Sequence, residues 1–275
     1  MIYTTPRGYL DLSSPKVMGI LNVTPDSFYA GNRSMRIDSI VRRAEEMIDE
    51  GVDIVDIGGM STRPGSVAPD IAEEMKRVDG PLRALRDRFP DLLLSIDTYR
   101  AEVLSHALDI GVDLVNDVSA GSLDTRFLSV VAESGLPYVL MHMQGKPATM
   151  QANPQYHDVT RELFVWLKEK LDELHLLGIQ DVIIDVGFGF GKSVKDNYRL
   201  LTGLSVLQIL DKPIMVGLSR KSMIYNVTNS DPNTCLHGTT AAHMLALQQG
   251  AKLLRVHDVL PAKQAIQIHE ASMKV

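Results

Sequence analysis

The chain has 275 residues, of which 45% are hydrophobic and 23% are charged, as is typical of a soluble globular protein with a sizeable core. Its 28 Lys and Arg are scattered among 34 Asp and Glu, with a formal net charge of −6. This pattern provides no basic face for nucleic acid, and the single cysteine, Cys235, excludes an internal disulfide and a multi-cysteine metal site.

The sequence contains no segment typical of a secreted protein or of a membrane protein. Residues Met1 to Leu12 contain no charged segment followed by an apolar stretch, and no later run reaches about 18 uninterrupted apolar residues. With the lone cysteine, which fits a reducing compartment, this predicts a cytoplasmic protein.

The chain opens with a turn signal at Pro6-Arg7-Gly8, so Tyr3 to Lys16 are predicted to form a hairpin at the bottom of the fold. Eight short apolar runs follow, and each ends on polar residues or glycine. Because these runs show little alternation, they are typical of strands buried on both faces. In chain order they are Val17 to Asn22, Val52 to Asp56, Leu92 to Asp97, Val112 to Asn116, Tyr138 to His142, Val182 to Asp185, Pro213 to Gly217 and Lys252 to His257.

Segments with helical spacing lie between the predicted strands, and several stop at a glycine just before the next strand. They include Ile37 to Glu50, Ile71 to Phe89, Ala101 to Ile110, Val159 to Leu177 and Leu236 to Gln249. The alternation repeats about every thirty residues, as βα units do, and predicts a single-domain TIM (β/α)8 barrel over residues 1–275. An open doubly wound sheet is the rival, but its phosphate loop is absent where Asn22-Val-Thr-Pro-Asp-Ser-Phe follows the first strand.

Polar residues follow the predicted strands, at the end of the barrel where active sites form. A single Asp after a strand is often only a helix cap, but the whole set favours an active site. Its carboxylates and amides suit a heteroaromatic ligand rich in N–H donors. The set comprises Asn22, Asp56, Asp97, Asn116, His142, Asp185, Lys221 with Ser222, and Arg255 with His257.

Three basic loops would converge on the same mouth and indicate a phosphate site. They are Ser61-Thr-Arg-Pro-Gly, Ser219-Arg-Lys-Ser and Arg255-Val-His-Asp. Gly187-Phe-Gly-Phe-Gly-Lys lacks the spacing of a nucleotide-binding loop, so its glycines indicate close backbone approach, with Phe188 or Phe190 as an aromatic wall.

Asn22 and Asp56 are hard oxygen donors suited to Mg²⁺ that is held mainly by water and substrate phosphates. His142 and His257 lie far apart in the sequence, which gives zinc little support.

Eight motifs in order resemble the dihydropteroate synthase family, and the match spans nearly the whole chain. They are Asn22-Val-Thr-Pro-Asp-Ser-Phe, Gly58-Gly-Met-Ser-Thr-Arg-Pro-Gly, Ser95-Ile-Asp-Thr, Asn116-Asp, Met141-His-Met-Gln-Gly, Asp185-Val-Gly-Phe-Gly-Phe-Gly-Lys, Gly217-Leu-Ser-Arg-Lys-Ser and Arg255-Val-His-Asp.

The resemblance implies condensation of 6-hydroxymethyl-7,8-dihydropterin diphosphate with 4-aminobenzoate in folate biosynthesis, inhibition by sulfonamides, and a homodimer formed through outer helices. It implies pterin binding by Asp97, Asn116, Met141, Asp185, Phe190, Gly217 and Lys221. The diphosphate would contact Asn22, Thr62, Arg63, Arg255 and His257, with Mg²⁺ at Asn22, and the 4-aminobenzoate would contact Phe28, Thr62, Pro64, Lys221 and Ser222. The catalytic set would be Asp97, Asp185, Lys221 and Arg255.

Two departures from the family pattern lie in its loops. Phe28 is followed by Tyr29-Ala-Gly-Asn where the family continues with Ser-Asp-Gly-Gly, and Met60 replaces a Glu, so each place lacks an acidic group. We expect activity to survive, with different loop ordering and metal dependence.

Two alternatives share the predicted fold. A pterin-dependent methyltransferase would need no diphosphate clamp, so Arg63, Arg255 and His257 favour the synthase. A non-catalytic pterin-binding barrel would be consistent with the altered loops at Tyr29-Ala30 and Met60.

Overall fold

Eight parallel strands close into a barrel, and a two-stranded antiparallel hairpin precedes them. The computed structural model describes residues 1–24, 33–60, 68–145, 150 and 154–274. The hairpin strands are β1 (Ile2–Thr5) and β2 (Gly8–Asp11). The barrel strands are β3 (Lys16–Asn22), β4 (Ile54–Gly58), β5 (Leu93–Asp97), β6 (Leu114–Asp117), β7 (Tyr138–Met141), β8 (Val182–Asp185), β9 (Ile214–Val216) and β10 (Ala251–Val256).

The strands follow one another around the barrel in chain order, and β10 pairs with β3 to close it. Every predicted strand is present, with each end within two residues of its predicted position. The predicted TIM barrel is therefore confirmed.

Helices connect the strands and cover the outside of the barrel. They are α1 (Arg33–Asp49), α2 (Ile71–Arg88), α3 (Ala101–Ile110), α4 (Phe127–Ser134), α5 (Val159–Leu176), α6 (Val194–Thr202), α7 (Ser222–Tyr225), α8 (Leu236–Gln248) and α9 (Val259–Ser272), with a 3-10 helix over Leu204–Leu210. Asp70, Asp158 and Ser193 cap the first turns of α2, α5 and α6 through their side chains. None of the described helices is long and apolar enough to cross a membrane.

The strands alternate between two apolar environments, because successive side chains point to opposite faces. One face packs under the helices in the larger core cluster, for example Val55, Ile96 and Ile184. The other face fills the lower barrel interior, with Met18, Ile54, Leu114, Val139, Ile183, Met215 and Leu253 in a separate cluster.

The inward register also sets the positions of the predicted site residues. Two residues beyond members of the interior cluster lie Asp56, Asn116, Met141, Asp185, Gly217 and Arg255, and four beyond lie Asn22, after Met18, and Asp97, after Leu93. The same strands therefore close the lower barrel with apolar side chains and bring the polar ring to the opposite end.

The hairpin closes the lower end, as predicted. Tyr3, Leu10 and Leu12 are buried in the interior cluster. The Tyr3 hydroxyl donates a hydrogen bond of 2.7 Å to the carbonyl oxygen of Val182, at the start of β8. The open mouth therefore lies at the carboxyl ends of the strands.

Candidate active site

Arg255, near the end of β10, reaches two carboxylates on neighbouring strands. Its Nε lies 2.7 Å from Oδ2 of Asp56, and its Nη2 lies 2.6 Å from Oδ2 of Asp97. Burial lowers the pKa of Arg255, but the Asp56 and Asp97 carboxylates outweigh this and raise it above its usual value. The guanidinium group is therefore a permanent positive charge in the mouth.

Asp56 links Arg255 to Asn116. Its side chain is fully buried, and Oδ2 also accepts a hydrogen bond of 3.0 Å from Nδ2 of Asn116. Within the described part of the chain, the Asp56 Oδ1 atom has no hydrogen-bond partner. Asp56, predicted with Asn22 as an oxygen donor for Mg²⁺, thus has one carboxylate oxygen that binds Arg255 and Asn116 and a second that has no partner among the described residues.

Asp97, at the end of β5, has an unusual protonation equilibrium. Burial raises its pKa to about 7; Arg255 opposes this shift, and Asp56 and Asp117 add to it. The carboxyl side chain keeps 14% of its surface exposed, so a ligand in the mouth can reach it. Near neutral pH, Asp97 therefore exchanges between its charged and neutral forms.

Asp185 and Lys221 form the other side of the mouth. Asp185 Oδ1 accepts a hydrogen bond of 2.8 Å from the backbone N–H of Gly187. Burial raises the pKa of Asp185, while Lys221 and that N–H group lower it.

The Lys221 ammonium group donates to the carbonyl oxygen of Phe188 and lies 4.8 Å from the centre of the Phe190 ring. A methyl group at Gly217 would lie 3.7 Å from the Lys221 Nζ atom. Burial lowers the pKa of Lys221 to about 8, although Asp185 opposes the shift. The structure thus brings Lys221, Phe190 and Gly217 together.

The glycine-rich loop packs directly against the loop after β7. Gly187 has φ +64, and a methyl group there would collide with the carbonyl oxygen of His142. The predicted close backbone approach is present, but it is to another part of the protein. Phe188 is fully buried in the core, whereas Phe190 is half-buried beside Lys221, so Phe190 is the aromatic wall.

Lys192 is a part of this site that sequence reasoning missed. Its ammonium group lies 3.0 Å from Nδ1 of His142, and burial lowers the pKa of His142 to about 2, with Lys192 adding to the shift. His142 is therefore a neutral acceptor for Lys192 and is not one of the residues that point into the barrel mouth. The sequence signal that could have identified Lys192 is its position at the end of the glycine-rich motif.

The basic loops after β9 and β10 bind one another. Arg220 adopts a left-handed backbone conformation, with φ 58, and its guanidinium group binds both carboxylate oxygens of Asp258 at 2.6 and 3.0 Å. Arg220 therefore links the two loops through Asp258, and the neighbouring Lys221 is one of the cations that lower the pKa of Asp185. The His257 N–H donates to the Ser219 hydroxyl at 3.2 Å, while Ser222 is exposed at the start of α7.

Four predicted site residues lie outside the described residues: Phe28, Thr62, Arg63 and Pro64. The altered loop positions Tyr29 and Ala30 also lie outside them. Met60 is described and is only 7% exposed. At Met60 an apolar side chain is therefore buried at the end of the segment that follows β4.

The sequence and the fold have close counterparts among known proteins. The family of pterin binding enzymes matches residues 18–257. Dihydropteroate synthase from Haemophilus influenzae is 41% identical over 265 residues, covering 96% of each chain.

Two solved structures agree over nearly their whole lengths. Dihydropteroate synthase from Yersinia pestis, solved with a sulfonamide drug, has a TM-score of 0.92 at 40% identity, covering 100% of this chain and 99% of that one. The enzyme from Xanthomonas albilineans, solved with 4-aminobenzoic acid, has a TM-score of 0.90 at 41% identity, covering 97% and 96%. The chain belongs to the pterin-binding enzymes and, within them, to the dihydropteroate synthases.

Proposed function

We propose that the barrel mouth condenses 6-hydroxymethyl-7,8-dihydropterin diphosphate with 4-aminobenzoate, giving 7,8-dihydropteroate and diphosphate. The observation that carries the proposal is the position of Arg255, a permanent cation held between Asp56 and Asp97 beside Asn116. A cation beside the carboxylates and the amide proposed to bind the pterin ring suits the diphosphate attached to that ring.

The pterin slot proposed here is lined by Asp97, Asn116, Met141, Asp185, Phe190, Gly217 and Lys221. Its acceptors suit the amino and ring N–H groups of the pterin, because buried carboxylates are stabilised by N–H donors. Phe190 provides a flat apolar face. The shared inward register of Asp97, Asn116 and Asp185 supports one planar ligand across the mouth.

Cleavage at the pterin methylene needs charge stabilisation more than a strong base. The carbon–oxygen bond breaks with its electron pair going to diphosphate, and Asp97 and Asp185 stabilise the cationic pterin. Arg255, Arg63 and His257 then neutralise the leaving group. The arylamine nitrogen forms the new carbon–nitrogen bond and loses a proton.

Asn22 would supply the protein's oxygen ligand to Mg²⁺. A methyl group at Gly58 would lie 3.7 Å from Oδ1 of Asn22, so this amide oxygen faces the mouth beside the end of β4. No group of three His, Cys, Asp or Glu able to hold a metal occurs among the described residues. A single amide donor fits a magnesium ion bound mainly by water and substrate phosphate, whose charge would assist departure of the diphosphate.

The 4-aminobenzoate would approach from the side of Lys221 and Ser222, with Phe28, Thr62 and Pro64 completing its pocket. We also propose a homodimer through the outer helices, supported by exposed apolar side chains such as Ile209 and Leu245. The single buried Cys235 supports a cytoplasmic location.

Product analysis tests the proposed reaction. The protein is incubated with the pterin diphosphate, 4-aminobenzoate and Mg²⁺, and both products are quantified. We expect equimolar diphosphate and 7,8-dihydropteroate; no diphosphate release at micromolar enzyme would refute the proposal.

Sulfonamides test the arylamine pocket, because they resemble 4-aminobenzoate. Inhibition should be competitive, so saturating 4-aminobenzoate should restore the rate. Inhibition that saturating 4-aminobenzoate does not relieve would show that the pocket is misassigned.

A further inference from the structure

The Lys192 ammonium group is buried among four neutral acceptors. The residue is only 2% exposed. Its Nζ lies 3.0 Å from Nδ1 of His142, 3.0 Å from the carbonyl oxygen of Gly187 and 3.1 Å from that of Phe190, with the His142 carbonyl at 3.4 Å. An ammonium group has three protons, so these contacts use its full donor capacity.

These acceptors belong to the two loops that form the walls of the proposed pterin slot. His142 directly follows Met141, and Gly187 and Phe190 belong to the glycine-rich loop after β8. The loops touch through their backbones where Gly187 faces the His142 carbonyl. Lys192 is therefore a common donor to the loop of Met141 and the loop of Phe190.

The same ammonium group lies within the electrostatic environment of Asp185. Burial lowers the pKa of Lys192 to about 7, with Asp185 opposing the shift and Lys221 adding to it. In turn, Lys192 is among the cations that lower the pKa of Asp185 against its burial. A neutral donor could join the two loops, and it would avoid the cost of burying a cation. The positive charge of Lys192 adds an attraction to Asp185 that a neutral donor would lack.

We propose that Lys192 is a positioning residue for the pterin substrate. Behind the slot, its ammonium group sets the separation of Met141 and Phe190 and orients Asp185 through the Gly187 backbone, without touching either substrate. This inference rests on the proposed function, which assigns the slot to the pterin. The proposed role of Lys192 differs from that of Lys221, because the Lys221 ammonium group lies in the mouth.

The test compares Lys192→Met and Lys192→Gln with Lys195→Gln, which removes a lysine exposed on α6. We expect Lys192→Met to raise the KM for the pterin diphosphate by about tenfold or more while changing the KM for 4-aminobenzoate less than about twofold. Lys192→Gln should be intermediate, because its amide keeps two donor protons, and Lys195→Gln should match the unmodified protein.

Calorimetric titration with the pterin diphosphate alone gives a readout independent of turnover. The same order of affinities is expected, so a failure of the proposed reaction is distinguishable from a failure of the Lys192 inference. Circular dichroism verifies folding, and Lys192→Gln carries the comparison if Lys192→Met does not fold. Unchanged pterin affinity with only a lower Tm, or equal losses for both substrates, would overturn the inference.

Discussion

At the residue scale, Arg255 and Asp56 show how a buried charge pair can serve a binding site. The Asp56 carboxylate accepts hydrogen bonds from both Arg255 and Asn116. Removing the charge of Asp56 weakens hydrogen bonds to a charged group, which contribute about 1.5–3 kcal/mol each. Substrate binding should also weaken, because Arg255 and Asn116 bind different parts of the pterin diphosphate in the proposed reaction.

Asp56→Asn should therefore lower the free energy of unfolding by about 1–3 kcal/mol and raise the KM for the pterin diphosphate about tenfold. Urea denaturation and steady-state kinetics measure the two effects. Asp53→Asn is the matched control, since Asp53 pairs with Lys263 at the opposite end of the barrel. An Asp56→Asn variant with an unchanged KM would contradict the linking role of Asp56.

The pKa of Asp97 predicts a pH dependence. Since burial raises this pKa to about 7, the carboxyl group becomes protonated as pH falls through that value and no longer stabilises a cationic pterin. The kcat/KM of the free enzyme for the pterin diphosphate should rise as pH increases through about 7.

Asp97→Asn should abolish that acidic limb and lower kcat/KM by roughly 10²–10³-fold, because an electrostatic contact in the transition state is lost. The measurement is a pH profile of the variant beside the unmodified protein. An unchanged acidic limb in the variant would assign the titration to another group.

At the scale of elements, the glycine-rich loop is shaped by its contact with the loop after β7. Both Gly187 and Gly178 have positive φ, but only Gly187 faces protein atoms, whereas a methyl group at Gly178 would meet nothing within 4 Å. The pair separates the cost of backbone strain from the cost of forcing two loops apart.

Gly178→Ala should therefore cost about 1–2 kcal/mol of stability through backbone strain alone. Gly187→Ala should cost more than Gly178→Ala and should also raise the KM for the pterin diphosphate. Thermal unfolding and kinetics on both variants check this. Equal stability losses and equal KM values would show that the two loops can separate without consequence for the slot.

At the scale of the whole molecule, the barrel separates a stabilising end from a reactive end. Tyr3 closes the lower end, far from the polar ring along the same strands. Tyr3→Ala should reduce the free energy of unfolding by about 3–5 kcal/mol, as loss of a large buried side chain does. The KM for the pterin diphosphate and the KM for 4-aminobenzoate should stay unchanged.

Tyr9→Ala is the control within the same hairpin, because Tyr9 is 73% exposed and such surface changes alter stability by about 0.5 kcal/mol or less. Urea denaturation ranks the two variants. A raised KM in folded Tyr3→Ala would show that the two ends of the barrel are coupled.

Much of this organisation follows from local sequence. Strands buried on both faces give continuous apolar runs, and the period of two then directs Asp56, Asn116 and Asp185 inward. The partners of the loop residues depend instead on three-dimensional contacts. The left-handed backbone at Arg220 is associated with pairing to Asp258 rather than a place in the mouth, and the burial of Lys192 depends on contact between two loops.

The most direct test of the central claim, that the polar ring in the barrel mouth performs the condensation, is the turnover of Lys221→Ala. Its control is Lys212→Ala, since Lys212 Nζ donates to the Gln180 carbonyl away from the mouth. With folding verified by circular dichroism, Lys221→Ala should release neither diphosphate nor 7,8-dihydropteroate, while Lys212→Ala should retain full activity. Full turnover by Lys221→Ala would remove Lys221 from the site and contradict the account.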